Sequence, residues 1–308
     1  MLKKLLCIIG LLLVGCASLI VQPASSIISE KREAVELAAE ARAMIGERLL
    51  GEEYTFSTTS LGSEAAKRLS HAPDFPALIV QWLKEGGIEA GDSVAINASG
   101  SFPALNIAAL SAVKAVGAKP LLISSLGSSS WGANRPDFTW LHMEQILIKR
   151  WPEYKSLAVS LGGGRDMATG LFEEGEQALY AALKLTDAPV LTPIVPEDIY
   201  ANRMLVWRKA NGGVLPKMLI NVGGNPAYWG SKNRNDGELR DEGFITPDML
   251  VAGRNGVGDR FLAEGRPIIH LLNITPIAAQ YKITIPPDVS SPIWQPQNTA
   301  PADMHIKR

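Results

Sequence analysis

The amino-acid order predicts an α/β fold: a mostly parallel, doubly wound sheet with helices on both faces. Three observations carry that prediction. Residues 91–134 (GDSVAINASGSFPALNIAALSAVKAVGAKPLLISSLGSSSWGAN) read as strand, Gly/Ser turn, apolar helix, strand and second Gly/Ser turn. Short apolar runs then alternate with helix-length segments as far as residue 272, the order expected of parallel strands joined by crossover helices. Four of the runs end in small residues, at 99–101, 124–130, 162–164 and 223–224. Parallel strands would bring all four to the carboxyl edge of the sheet, where ligands of such folds collect.

The chain opens with an address. Lys3 and Lys4 form a positive start, residues 5–14 are apolar, and Leu13-Val14-Gly15-Cys16 matches a lipoprotein processing box, with the Cys16 thiol as the lipid attachment point. The alternative is an uncleaved transmembrane anchor, because the apolar run continues to Val21 and approaches the shortest spanning length of ~17 residues. Either arrangement places the rest of the chain outside the cytoplasmic membrane. Residues 17–72 read as linker and N-terminal helix, with 30–50 helical by composition and Val35, Leu37, Ala38, Ala41 and Ile45 able to share a face. A short helix is expected near 64–69 and another over 77–87, stopped by Gly86-Gly87.

The α/β domain is assigned to 73–285. Strands are predicted at 93–97, 120–124, 156–160, 190–193, 217–222 and 267–272, and helices at 103–116, 139–149, 172–185, 196–210 and 258–264. Pro103 suits the first turn of its helix, whereas Pro152 and Pro189 stop the preceding ones. Residues 225–254 are long, polar and Gly-rich, as functional loops tend to be. The tail 286–308 is Pro-rich and without periodicity.

Composition excludes several functions. Thirty basic and thirty-one acidic residues give a formal net charge of −1, so there is no basic excess of the kind that binds nucleic acid and no global attraction to a polyanion. Both cysteines, Cys7 and Cys16, lie in the leader, which leaves the domain without disulfide, thiolate nucleophile or thiolate metal site. The four histidines, His71, His142, His270 and His305, are scattered, and no metal site is legible. Gly162 and Gly164 belong to no G-x-G-x-x-G motif, since Met167 stands at its last position, and no phosphate-loop motif occurs; the sequence names no cofactor.

The candidate ligand-binding residues are those of the strand-end loops: Ser99, Gly100, Ser125, Trp131, Asn134, Gly163, Gly164, Arg165, Asn221, Gly223, Gly224 and Asn225. Small residues let backbone N–H groups approach a carboxylate or phosphate. They also serve sharp turns for steric reasons alone. Ser101, His270 and Asp166 are the candidate nucleophile, base and orienting carboxylate, if the fold brings them together. The plainer readings are a helix cap for Ser101 and a hydrogen-bonded core histidine for His270. Tyr228, Trp229 and the run 232–236 (KNRND) could grip a carboxylate-rich polymer or form a solvated loop.

An ordered series of segments resembles a known family: GEEYTFSTTS at 51–60, LGS at 61–63 with Ala66-Lys67-Arg68, SGSFPALN at 99–106, WGAN at 131–134, SLGGG at 160–164, INVGG at 220–224 and IHLL at 269–272. It is similar to the poly-gamma-glutamate system protein family, which accompanies the poly-gamma-glutamate synthase in bacterial capsule operons. The resemblance implies an accessory role in capsule synthesis or export, with the polymer or the membrane components of the synthase as partners. It supplies no catalytic residues. A hydrolase or transferase acting on polyglutamate or another envelope polymer is the alternative.

The processing box makes a direct prediction. Cys16→Ala leaves an unprocessed precursor and abolishes incorporation of a fatty-acid label; persistent labelling of that variant defeats the lipoprotein assignment.

Overall fold

The computed structural model describes residues 24–164, 166–195, 197–224, 242–250 and 255–284. The leader with Cys16, the loop residues Arg165, Asn225, Tyr228, Trp229 and 232–236, and the tail lie outside the described residues. No helix among the described residues is long and apolar enough to cross a membrane.

A six-stranded mixed sheet, parallel apart from one edge strand, forms the centre of an α/β fold. Its strands are β2 (Ser93–Ser99), β3 (Lys119–Ser125), β5 (Ala158–Ser160), β6 (Met218–Val222), β7 (Gly243–Ile245) and β8 (Ile268–Leu271), in the order β5-β3-β2-β6-β8-β7. Only β7, paired with β8, is antiparallel. From the central β2 the chain winds outward through β3 and β5, then returns to build β6 and β8 on the other side. Right-handed crossovers in opposite directions put their helices on opposite faces. Helices α4 (Pro103–Ala115) and α5 (Trp140–Leu147) pack on one face with Val94, Ile96, Leu122, Ile220 and Leu271. Helices α7 (Asp198–Ala210) and α8 (Val257–Ala263) pack on the other with Ala95, Ile123, Leu219 and Ile268.

The first face carries a second helical layer. Helix α1 (Ala24–Ile45) buries Ala34, Ala38, Ala41 and Ile45, spaced three and four apart, and α3 (Asp74–Glu85) joins it over α4. Small residues on that stripe allow close approach, so α4 is covered on both sides and all but Lys114 of its thirteen residues are buried. The remaining α-helices among the described residues are α2 (Glu64–Leu69), α6 (Glu173–Leu183) and α9 (Ile274–Tyr281). A two-stranded parallel ribbon joins β1 (Thr58–Ser60) to β4 (Ser128–Ser129) beside the main sheet.

The differences from the expected elements have local causes. The strand expected at 190–193 is reduced to a single bridge from Val190 to Val159. Pro189 and Pro193 flank it, and neither can donate a ladder bond. Strand β7 was hidden in a polar, Gly-rich stretch with no alternation. Helix α9 contains Pro276, which its first turn tolerates because no intrahelical partner is needed there; it stops at Lys282, in the left-handed region at φ 55°.

Glu144 is the polar anchor of the α5 face. Its carboxylate accepts from Ser156 N (2.9 Å) and Ser156 Oγ (2.6 Å), and Trp140 Nε1 donates to the neighbouring Ser124 Oγ at 2.9 Å. Burial pushes this carboxyl above its ordinary value of 4.5, against the pull of the Ser156 and Ser124 bonds and the Lys155 charge. A raised carboxyl keeps its proton in the folded state at pH values where the unfolded chain has lost it, so stability falls as pH rises from about 4.5. Glu144→Gln, which can still accept from Ser156 N, should flatten that fall without lowering the unfolding midpoint at pH 7; thermal unfolding between pH 4 and 8 checks it.

Candidate functional site

The carboxyl ends of five adjoining strands carry a polar row on the α7–α8 face: Ser160 (β5), Ser125 (β3), Asn97 (β2), Asn221 (β6) and His270 (β8). All are buried. Strand alternation explains the common face, because each lies two residues beyond an apolar residue of that face (158, 123, 95, 219 and 268). Register does the rest, since Ser125 is paired with Ser160, Asn97 with Asn221, and Asn221 with His270.

Arg203 of α7 closes this row from above. Both it and Asp166 have fully buried side chains, and Nη1 meets the Asp166 carboxylate at 2.7 Å. The other donors reach Ile199 O (3.0 Å), Asn97 Oδ1 (3.2 Å), Ser125 Oγ (3.0 Å) and Ser160 Oγ (3.1 Å). Five guanidinium N–H groups thus meet five acceptors. Ser160 Oγ also donates to Asp166 Oδ1 at 2.8 Å. From Asn97 the chain continues through Nδ2 to Asn221 Oδ1 (2.6 Å), and Asn221 Nδ2 serves Gly223 O (2.8 Å) and His270 Nδ1 (3.0 Å). With Asn221 donating, His270 Nδ1 accepts, which places the ring proton on Nε2. The Asn97–Asn221 bond spans β2 and β6, where the winding direction reverses.

The described glycines of the predicted loops follow the carboxyl ends of their strands, but they face one another. A Cβ on Gly100 would overlap the Leu126 carbonyl and lie 3.1 Å from Gly127 O; one on Gly162 would lie 2.6 Å from Gly127 N, and one on Gly132 2.7 Å from Gly100 O. Loop backbone, rather than a bound anion, occupies the space that these glycines leave. Gly163 (φ 66°) backs onto Thr59 and Ala168, Gly164 onto Thr169, Gly223 onto Ser99 and Gly224 onto Leu272. Ser99 holds Asn106 of α4, whose Nδ2 donates to Ser99 O at 2.9 Å. Asn134, fully buried, fastens residue 52 through both amide atoms (2.9 and 2.8 Å). Trp131, at φ 63°, donates its N–H to Glu52 O. Trp131 and Asn134 therefore secure the segment before β1.

Ser101, His270 and Asp166 are not brought into one hydrogen-bonded set. Ser101 Oγ accepts from Ser129 N at 3.0 Å, its N–H donates to Ser99 Oγ at 3.1 Å, and its carbonyl accepts from Lys67 Nζ. Neither His270 nor Asp166 is among its partners. Asp166, at φ 61°, pairs with Arg203 and Ser160, and His270 with Asn221. Of the other histidines, His142 caps its own helix at Thr139, while burial with the Arg42 and Arg68 charges depresses His71 to about 3. Among the described residues no group of three or more His, Cys, Asp or Glu could hold a metal ion.

Arg203 was the residue hardest to anticipate, yet a trace of it was visible. It sits on the stripe Ile199, Tyr200, Met204, Trp207 of α7, all buried, and a cation centred on an apolar stripe asks for a buried acceptor. Lys67, in a six-residue helix with no clear apolar stripe, offered no such sign. Comparison of the chain with protein-family models, with curated proteins and with solved structures finds no match.

Removing one member of a buried ion pair strands the other. Asp166 is the one carboxylate that Arg203 meets among the described residues, and Asn tolerates the left-handed backbone there. Asp166→Asn should cost about 3–5 kcal/mol. Adding Arg203→Met should cost less than the sum of the single changes. Chemical denaturation of the three variants measures both, and additive losses would show that the pair is not coupled.

Proposed function

We propose that the protein is an envelope-anchored component of the poly-gamma-glutamate capsule system, binding the polymer or a membrane component of its synthase at the carboxyl edge of the sheet. The ordered series of segments from 51 to 272 supports the pathway. The location rests on one observation: the buried row from Ser160 to His270 under Arg203, centred on the reversal between β2 and β6. Ligands of wound α/β sheets collect at that position. Arg203 has no donor left for a ligand; its role is to hold the ends of β2, β3 and β5 and the loop that carries Asp166 in fixed relation. With a net charge of −1, recognition of a polyanion is local and short-ranged.

A second reading, an extracytoplasmic hydrolase or transferase, is favoured by a separate observation: the Ser129 hydroxyl lies 2.9 Å from the buried amine of Lys67. Calorimetry with short gamma-linked glutamate oligomers, beside a product assay, separates the two. On the binding reading the wild type binds without turnover, and Ser101→Ala loses no more than about tenfold in affinity, the scale of one hydrogen bond. A protein that binds neither oligomers nor the synthase membrane components, and whose deletion leaves the capsule unchanged, is outside the pathway.

A further inference from the structure

We propose that Ser129 is an acyl-transfer nucleophile with the Lys67 amine as its general base, forming a serine–lysine dyad at the carboxyl edge of the sheet. The substrate class is a carbonyl with an amine or alcohol leaving group, an amide or an ester. The proposal stands without the capsule assignment, because it rests on side chains that no polymer is needed to place.

Lys67 projects from α2 and is 3% exposed; Ser129 belongs to the short strand β4 and is 8% exposed. Lys67 Nζ lies 2.9 Å from Ser129 Oγ, bonds the Ser101 carbonyl, and sits 3.6 Å from the centre of the Phe102 ring. A neutral amine has two N–H groups and one lone pair. One N–H goes to Ser101 O, the other faces the ring, and the lone pair is left to accept the Ser129 proton. That satisfies every group without a charge.

The surroundings favour the neutral form. Among the described residues no carboxylate pairs with Lys67; on its own helix Glu64 is taken by Arg68. The elements that meet its amine, residues 99–102 and β4, carry no charged side chain, and neither does α9, which packs on α2. The Phe102 ring face favours the ammonium, whereas burial favours the neutral form and lowers the amine to about 7. A base poised there is half unprotonated at neutral pH.

The hydroxyl is held in place. Ser129 N donates to Ser101 Oγ at 3.0 Å, and Ser130 N donates to Ser60 O at 3.0 Å, so the backbone on both sides is tied down. Over it lies the exposed Gly62, where a Cβ would come within 3.1 Å of Ser129 Oγ. A side chain at 62 would crowd the hydroxyl of Ser129, which is 8% exposed. Ser130 Oγ, buried on the next residue, has no hydrogen-bond partner among the described residues, which suits a site that receives a polar group. Trp131, two residues on, holds the left-handed backbone at φ 63°, a strain that packed neighbours must maintain.

The chemistry balances with water as the sole co-reactant. Ser129 Oγ bonds to the carbonyl carbon while its proton passes to Lys67 Nζ. The carbon–nitrogen or carbon–oxygen bond breaks, and Lys67 returns the proton to the leaving amine or alcohol. Water then attacks the acyl-serine, again losing a proton to Lys67, and the acid leaves as Ser129 is restored. Overall, an amide and water become a carboxylic acid and an amine.

The test uses the full-length chain in detergent and two serine probes, a fluorophosphonate and a sulfonyl fluoride, read by intact mass and peptide mapping. One adduct is expected, on Ser129, with a rate that rises from pH 5 to 9 with a midpoint near 7, as the amine loses its proton. Lys67→Met should slow labelling by at least about 100-fold while the unfolding midpoint is unchanged or raised, and Lys67→Arg should slow it likewise. Several results overturn the dyad: labelling of Ser101 instead, labelling undiminished in folded Lys67→Met, or no adduct from either probe on folded wild type. Nitrogen NMR of Lys67 reads the base directly, and an amine still protonated at pH 9 overturns the proposal as well.

Discussion

The guanidinium of Arg203 is the interaction on which the carboxyl edge depends. Burying it costs several kcal/mol of hydration, and that cost is offset only if every donor finds an acceptor in good geometry. Here the acceptors come from four separate parts of the chain: β2, β3, β5 and the loop that carries Asp166, with Ile199 closing the set from its own helix. A shift of β2, β3 or β5 along its neighbour would unpair one of these donors. The network therefore ties strand register to loop position, and it rewards one arrangement of the edge over its near alternatives.

The glycines act with it. Gly100, Gly127, Gly132 and Gly162 lie where loop backbones touch, and a side chain on any of them would drive two loops apart. Four Gly/Ser strand ends first suggest an open cradle for an anion. In the folded protein they interlock, and Lys67 of α2 reaches in to hydrogen-bond Ser129 and the Ser101 carbonyl of these loops. Catalytic and binding groups gain from such rigid mounting, because small displacements of a base or nucleophile are expensive in rate.

The two faces of the sheet divide the work. Toward α4 the positions beside the polar row are Ala98, Val159, Val222 and Leu271, and Ser124 there joins the compact Glu144 cluster. Toward α7 and α8 the last residues are polar and linked. The larger hydrophobic cluster lies under α1, α3 and α4, and the smaller one on the other face leaves its upper edge to the polar network.

The alternation of strand and helix, Pro103 at a helix start, the glycine stops and the strand-end location of the small residues were all legible in the order of amino acids, because they follow from local periodicity and backbone sterics. The polar residue closing each run, as in V-A-I-N, L-L-I-S-S and I-I-H-L, was legible too, though its meaning was not. Only the tertiary structure decided that β6 returns to the far side of β2, that Asn97 thereby meets Asn221, and that Arg203 rather than Ser101 links Asp166 to the row toward His270. The same holds for Lys67 and Ser129, sixty-two residues apart, which no spacing rule could bring together. Sequence patterns report the periodicity of a segment against its own axis, whereas contacts between segments depend on strand order and crossover direction, and those are set by the packing of the whole chain.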